Sequence, residues 1–194
     1  YSIKIALASG CFDSVYVSTD SNKIAKISKK YGAKVPFMRS KSLSDDRTGT
    51  IPVICDAIKK IEKLEKFNYV CCIYPASPFI KKKNLVEALK ISKKKRNLVF
   101  PVSIFETPIE RSISIDRNKK INFNKKKFFK RTQDQGQNFY DSGQFYMAPK
   151  KNFFSKKIIC KNTSVIILNK FESIDINDLD DWKMAERIYK KNKL

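Results

Sequence analysis

Residues 68–74 (N-Y-V-C-C-I-Y) form an unbroken apolar run between two segments of helical spacing, and this run most constrains the fold. A strand that is apolar at successive positions buries both faces, so it needs a covering layer on each side. Residues 50–66 supply a helix before it, with Val53, Ile54, Ala57, Ile58 and Ile61 at helical spacing. Residues 83–95 supply another after it, leading to a further strand at 98–104. Upstream, residues 1–9 read as a helix end stopped by Gly10, and residues 13–18 (D-S-V-Y-V-S) as a short strand. A helix follows, capped by Asp20 or Ser21, carrying Ile24, Ile27 and Tyr31 on one face and closed by Gly32; a second strand covers 33–38. This alternation predicts an α/β domain with a mostly parallel sheet and crossover helices.

The pattern changes after Glu106. Residues 113–124 read as two short strands around the turn 116–119, and residues 138–147 and 165–168 as extended. Residues 178–191 read as a closing helix with Leu179, Trp182, Ala185, Ile188 and Tyr189 on its packed side. One domain over 1–194, with a β-rich insertion at about 106–147, is the expected organisation.

Composition narrows the chemistry. The chain has no histidine, which removes the usual general base, the Ser-His and Cys-His nucleophile systems and most zinc sites. Catalysis would have to run on carboxylates, Arg, Lys, hydroxyls and a hard metal ion. The five cysteines form no C-x-x-C pair and their odd number argues against a disulfide framework. The net charge of +22 invites a nucleic-acid reading, but 34 of the 41 basic residues are Lys, spread along the whole chain, whereas base and phosphate forks favour Arg. Solvated lysine faces are the preferred reading, and their field would draw in an anionic substrate. No apolar run is long enough to span a bilayer and no signal peptide is present, so a cytoplasmic location is expected.

Five segments carry candidate chemistry. Val17-Ser18-Thr19-Asp20 lies where a strand turns into a helix, although Asp20 can equally be a plain helix cap. Arg39 followed by Leu43-Ser44-Asp45-Asp46-Arg47-Thr48-Gly49-Thr50 places hydroxyls and backbone amides before a helix, which suits a ribose, a base edge or a phosphate; Thr50 could instead be only the N-cap. Ile73-Tyr74-Pro75-Ala76-Ser77-Pro78-Phe79 makes a rigid wall at a strand end, or Pro78 simply begins the next connection. Lys130-Arg131-Thr132-Gln133-Asp134 with Asp141-Ser142-Gly143-Gln144-Phe145-Tyr146 offers a guanidinium, amides and a tyrosine for an acidic, acetamido-bearing sugar, or is a polar hairpin. In Ser173-Ile174-Asp175-Ile176-Asn177-Asp178, alternate positions let Asp175 and Asn177 aim oxygens at one Mg²⁺, with Asp178 capping the last helix.

Taken in order, these segments resemble the cytidylyltransferases that activate nine-carbon acidic sugars. V-S-T-D, R-x-x-x-L-S-D-D-x-T-G-T and D-I-N-D-L-D-D-W-K-M-A-E resemble the broad sialic acid branch, while C-C-I-Y-P-A-S-P-F and D-S-G-Q-F-Y resemble the pseudaminic acid branch. The resemblance implies a glycosyltransferase-A-like, Rossmann-like nucleotidyltransferase fold with a small β-rich insertion for dimerisation and sugar binding, and a homodimer. It implies transfer of CMP from CTP to a nonulosonic sugar such as pseudaminic acid, with Mg²⁺; a sialic or legionaminic acid substrate is the alternative. By position, Arg39, Thr48, Gly49, Thr50, Tyr74, Pro75, Ala76 and Ser77 would bind the nucleotide. Arg131, Gln133, Asp141, Gln144 and Tyr146 would face the sugar, Asp175 and Asn177 would hold the metal, and Asp175 and Arg131 would be catalytic. Two positions depart from the family, with Asn177 standing for a second carboxylate and Tyr140 for a frequent histidine. The family also opens with a strand and an Arg/Gly/Ser/Lys-rich triphosphate loop, and the five glycines here form no G-x-G-x-x-G or G-K-[S/T] loop. The N-terminal nucleotide loop is therefore expected to be missing from these residues, and little turnover is expected from them alone. A non-catalytic basic binding protein is the rival reading.

Overall fold

The computed structural model describes residues 1–155 and 158–192. In chain order the elements begin with helices α1 (Ser2–Ala8), α2 (Asn22–Lys30) and α3 (Thr50–Ile61), then strand β1 (Tyr69–Ile73), α4 (Lys82–Lys95) and β2 (Val99–Ile104). A hairpin β3 (Ser114–Ile115) and β4 (Ile121–Asn122), a short α5 (Lys125–Phe128), β5 (Phe139–Asp141), β6 (Phe145–Pro149), β7 (Ser164–Ile167) and the closing α6 (Leu179–Asn192) follow.

The five-stranded sheet runs β1-β6-β2-β5, with β7 beside β2. Pairings β1–β6, β2–β6 and β2–β5 are antiparallel and only β2–β7 is parallel, which corrects the mostly parallel sheet expected from the alternation. The reason is a non-local insertion. Strands β1 and β2 are both antiparallel to β6, so they point the same way, as a crossover through α4 requires. They are not neighbours, because β6 returns from far along the chain and inserts between them, with Tyr69 opposite Pro149 and Ile73 opposite Phe145.

Alternation along each strand explains why both faces are covered. Cys71 and Ile73 of β1, Val99 of β2 and Phe145 and Met147 of β6 pack with Leu85 and Ala88 of α4 on one face. Val70 and Cys72, Phe100 and Val102, and Tyr146 and Ala148 pack with Ile54 and Ile58 of α3 and with Phe153 on the other. A period of two thus feeds two cores, with Phe145, Leu85 and Phe153 at 0% exposure. Burial of side chains of this size contributes roughly 1.5–3 kcal/mol each.

The early helices are bounded as the sequence implies. Ser21 caps α2 by accepting from Ile24 N–H, and Gly10 and Gly32 take positive φ. The strand expected at 13–18 reduces to a single parallel bridge, Tyr16 to Lys34. The shared face of α2 is left largely open, and the packed side expected of α6 is corrected in part. In α2 it is Ala25 and Ser28 that are buried, while Ile24 and Ile27 remain 50% and 48% exposed. In α6 Ala185 is buried but Leu179 and Trp182 are exposed. Asp178 does cap α6, its Oδ1 accepting from the N–H groups of Asp180 and Asp181 at 2.9 Å each. The hairpin β3–β4 forms around Lys119 at positive φ, and the main sheet resumes at Phe139.

Candidate functional site

The carboxyl end of β1 is where ligands collect in open α/β sheets. Tyr74 leaves that strand with its N–H on the Gln144 carbonyl at 2.9 Å and its hydroxyl 2.5 Å from Thr50 Oγ1. Thr50 is the first residue of α3, and Gly49 is the N-cap, with no side-chain cap bond. Thr50 is therefore not the cap, and its hydroxyl is turned to Tyr74 instead. The loop before it is held from within: Asp45 Oδ1 accepts from Thr48 N–H at 2.7 Å, and Thr48 Oγ1 donates to the Ser42 carbonyl at 3.2 Å.

Arg39 joins two of the sequence motifs. Its Nε donates to Ser44 Oγ at 2.9 Å, its guanidinium pairs with Asp20 at 3.3 Å, and its N–H reaches the Thr19 carbonyl at 2.9 Å. Asp20 holds the arginine while Ser21 does the capping, so the two residues divide the roles left open by the sequence. Pro75 is exposed and Ala76 half-buried, while Ser77 is buried with its hydroxyl on the Gly143 carbonyl at 3.3 Å.

The acidic segment closes on the same wall. Ile176 N–H donates to the Ala76 carbonyl at 3.2 Å, bringing Asp175 beside the exit of β1. Asn177 Nδ2 lies 3.4 Å from Asp175 Oδ2. Gly143, at φ +65, bends the chain between β5 and β6, and a Cβ there would stand 3.8 Å from Asp175 Oδ2. That spacing is an ordinary contact, so the turn needs glycine for its backbone conformation and not for room.

Asp141 accepts from Gly143 N–H at 2.9 Å and from the Tyr146 hydroxyl. The Tyr146 ring stands edge-on to Tyr74 at 5.9 Å and tilted against Phe100 at 5.7 Å. Burial pushes the Tyr146 hydroxyl far above its ordinary range, and the hydrogen bond to the Asp141 carboxylate adds to this. Burial also raises Tyr74, with the charges of Asp141 and Asp175 adding to it and the bond to Thr50 opposing it. Both phenols therefore stay protonated near neutrality and work as hydrogen-bonding groups, not bases.

Beside this wall lies a cleft of about 420 Å³ lined by, among others, Ser103, Tyr140, Lys170, Ser173, Asp175 and Asn177. Tyr140 packs its ring against Phe105 at 5.0 Å. Asp175 and Asn177 thus both line the cleft, and Asp175 also lies beside the β1 wall. They offer a carboxylate and an amide oxygen, and among the described residues no group of three or more Cys, Asp or Glu converges on one point. Such a sparse all-oxygen set fits Mg²⁺, which keeps several waters or phosphate oxygens and takes only one or two protein carboxylates.

Not every expected residue meets there. Gln144 is 1% exposed, and its Nε2 donates to the Glu172 carbonyl inside the core. Arg131 and Gln133 are exposed on the insertion, where Arg131 pairs with Asp134 at 3.9 Å. Sequence reasoning included Ser44 in its second segment, but did not single out Glu172, Ser103 and Lys170, which lie at or beside the cleft. None of these three carried a signal that could have found it.

Residues 1–182 match the family model described as cytidylyltransferase. The chain is 34% identical, over 99% of its length and 84% of the relative's, to a pseudaminic acid cytidylyltransferase of Campylobacter jejuni. It is 30% identical, over the same shares, to a CMP-N,N'-diacetyllegionaminic acid synthase of Legionella pneumophila. Among solved structures, a CMP:2-keto-3-deoxy-manno-octonic acid synthetase complexed with CTP aligns at TM-score 0.64 and 10% identity, over 99% of this chain and 86% of that one, a likeness of fold.

Proposed function

The chain belongs to the cytidylyltransferase family, and we propose that it transfers CMP from CTP to pseudaminic acid, releasing pyrophosphate. The observation that carries the substrate is the gradient of identity: 34% to the pseudaminic acid enzyme, 30% to the legionaminic acid synthase and 26% to an N-acylneuraminate cytidylyltransferase of Escherichia coli.

In this reading the sugar's anomeric hydroxyl attacks the α-phosphorus of CTP and pyrophosphate leaves. Positioning and charge neutralisation do most of the work in such transfers. Arg39, braced by Asp20 and Ser44, together with Thr48, Gly49 and Thr50, holds the nucleotide. The first turn of α3, which has no side-chain cap, leaves N–H groups to meet its polar atoms. Tyr74, Pro75, Ala76 and Ser77 wall the site. Asp175 and Asn177 would hold Mg²⁺, which would supply positive charge for the phosphates. Asp141 and Tyr146 present an oriented carboxylate and ring toward the sugar end, and Arg131 and Gln133 supply the guanidinium and amide for its acidic and acetamido groups. The exposed Ile115, Ile121 and Phe129 of the insertion are covered by a second copy in a homodimer. Among the described residues no helix is long and apolar enough to cross a membrane; the cytoplasm is the location assigned in this reading.

The test is kcat/KM on pseudaminic, legionaminic and N-acetylneuraminic acids with the full-length protein. Pseudaminic acid should lead by at least about tenfold, on the scale of one distinguishing contact. A lead for either of the others sinks the substrate assignment.

A further inference from the structure

Glu172 ends the 3-10 turn Lys170–Glu172 and is only 6% exposed. Its Oε1 accepts from Lys81 Nζ at 2.5 Å and from Asn169 Nδ2 at 3.4 Å. Its backbone carbonyl accepts from Gln144 Nε2. Gln144 in turn accepts Tyr74 N–H on its own carbonyl at 2.9 Å. Four elements therefore meet in one buried knot: the start of α4 through Lys81, the start of β6 through Gln144, the exit of β1 through Tyr74, and the segment leading to Asp175. Three residues of chain reach at most about 10 Å, so the position of Glu172 limits where Asp175 can lie.

We propose that Gln144 and Glu172 are positioning residues that fix the Asp175 carboxylate against the Tyr74–Ser77 wall. This rests on the assignment of Asp175 to Mg²⁺. Burial alone would push the Glu172 carboxyl up, but the Lys81 ammonium and the Asn169 amide outweigh it and hold the group below the usual carboxylate range. The clamp is therefore charged throughout the neutral range. The second observation is that Gln144 Oε1 is buried without a hydrogen-bond partner. Leucine, close in volume, would remove that unpaired oxygen but leave the Glu172 carbonyl without its donor, so what the amide supplies here is its hold on that carbonyl.

That asymmetry makes the test discriminating. Gln144→Leu removes an unsatisfied acceptor but leaves the Glu172 carbonyl without its donor, so its melting temperature should fall by a few degrees while the fold persists. Losing an outer support for a metal ligand should weaken cation binding about tenfold or more and lower kcat by a similar factor. Mg²⁺ binding is measured by calorimetry with CTP and no sugar, so no turnover enters; kcat and sugar KM are measured separately. Glu172→Gln should behave alike, with sugar KM unchanged in both. Should Gln144→Leu fail to fold, Lys81→Met, at a side chain 45% exposed, reads the same clamp with the same expected and contrary outcomes. Asp175→Ala is the reference. If it loses Mg²⁺ affinity and the clamp variants do not, the positioning role is overturned and the metal assignment stands. If Asp175→Ala itself binds Mg²⁺ normally, the metal assignment fails. A rise in sugar KM alone for Gln144→Leu would make Gln144 a sugar contact and overturn the proposal.

Discussion

Replacing Asp175 by alanine should separate rate from stability. The side chain is half-buried, its hydrogen-bond partner is Asn177 Nδ2 at 3.4 Å, and among the described residues it forms no ion pair. A long hydrogen bond at a partly exposed site contributes little, so the variant should unfold within about 1 kcal/mol of the parent in urea. An unpaired carboxylate facing both the cleft and the Tyr74 wall has its charge free for a cation. Removing one electrostatic stabiliser of the transition state should cut kcat by about a hundredfold or more, equivalent to about 2.7 kcal/mol. Steady-state pyrophosphate release at saturating CTP and Mg²⁺ reads the first quantity and urea melts the second. Asp175→Asn keeps an oxygen but not the charge, so it should fall between the two. Near-normal turnover of Asp175→Ala at saturating Mg²⁺, or a stability loss as large as the rate loss, would refute the reasoning.

Thr50→Val leaves the Tyr74 hydroxyl without its partner and should raise KM for CTP about fivefold, equivalent to about 1 kcal/mol; an unchanged KM would detach the pair from the nucleotide. Glu172 has a lowered pKa in the fold, so the unfolded chain binds its proton first and stability rises with pH across that window. The stabilisation is full above about pH 4.5 and is lost as pH falls through the lowered value, so Glu172→Gln should flatten part of the acid limb of a stability–pH curve. Arg96 ends α4 with φ 54, a left-handed conformation that suits glycine; Arg96→Gly should stabilise the fold by about 1 kcal/mol in urea melts.

What the sequence made legible was local. The run at 68–74 announced a strand covered on both faces, and Val70/Cys72 and Cys71/Ile73 do feed opposite cores. Helices α3 and α4 and the Asp178 cap were readable because periodicity and capping depend on neighbours a few residues away. Strand order was not, because β6 reaches its place beside β1 through pairings some seventy-five residues apart, such as Cys71 with Met147. Nor was the exposure of Ile24 and Ile27, since helical spacing says which residues share a face but not what covers it. The Tyr74–Ser77 segment was visible as a motif, and the union of Arg39 with Asp20 and Ser44 gives two other motifs a shared geometry. Glu172 was invisible, because a lone acidic residue three positions before Asp175 reads as solvated until Lys81 and Asn169 are seen folding around it.

The most direct measurement is ³¹P NMR of the full-length protein with CTP, Mg²⁺ and pseudaminic acid. A CMP-sugar phosphodiester signal and pyrophosphate should grow together in equal amounts as CTP declines, and neither should form without the sugar. CTP left intact, or consumed without a phosphodiester product, would contradict a cytidylyl transfer at the Arg39–Tyr74–Asp175 site.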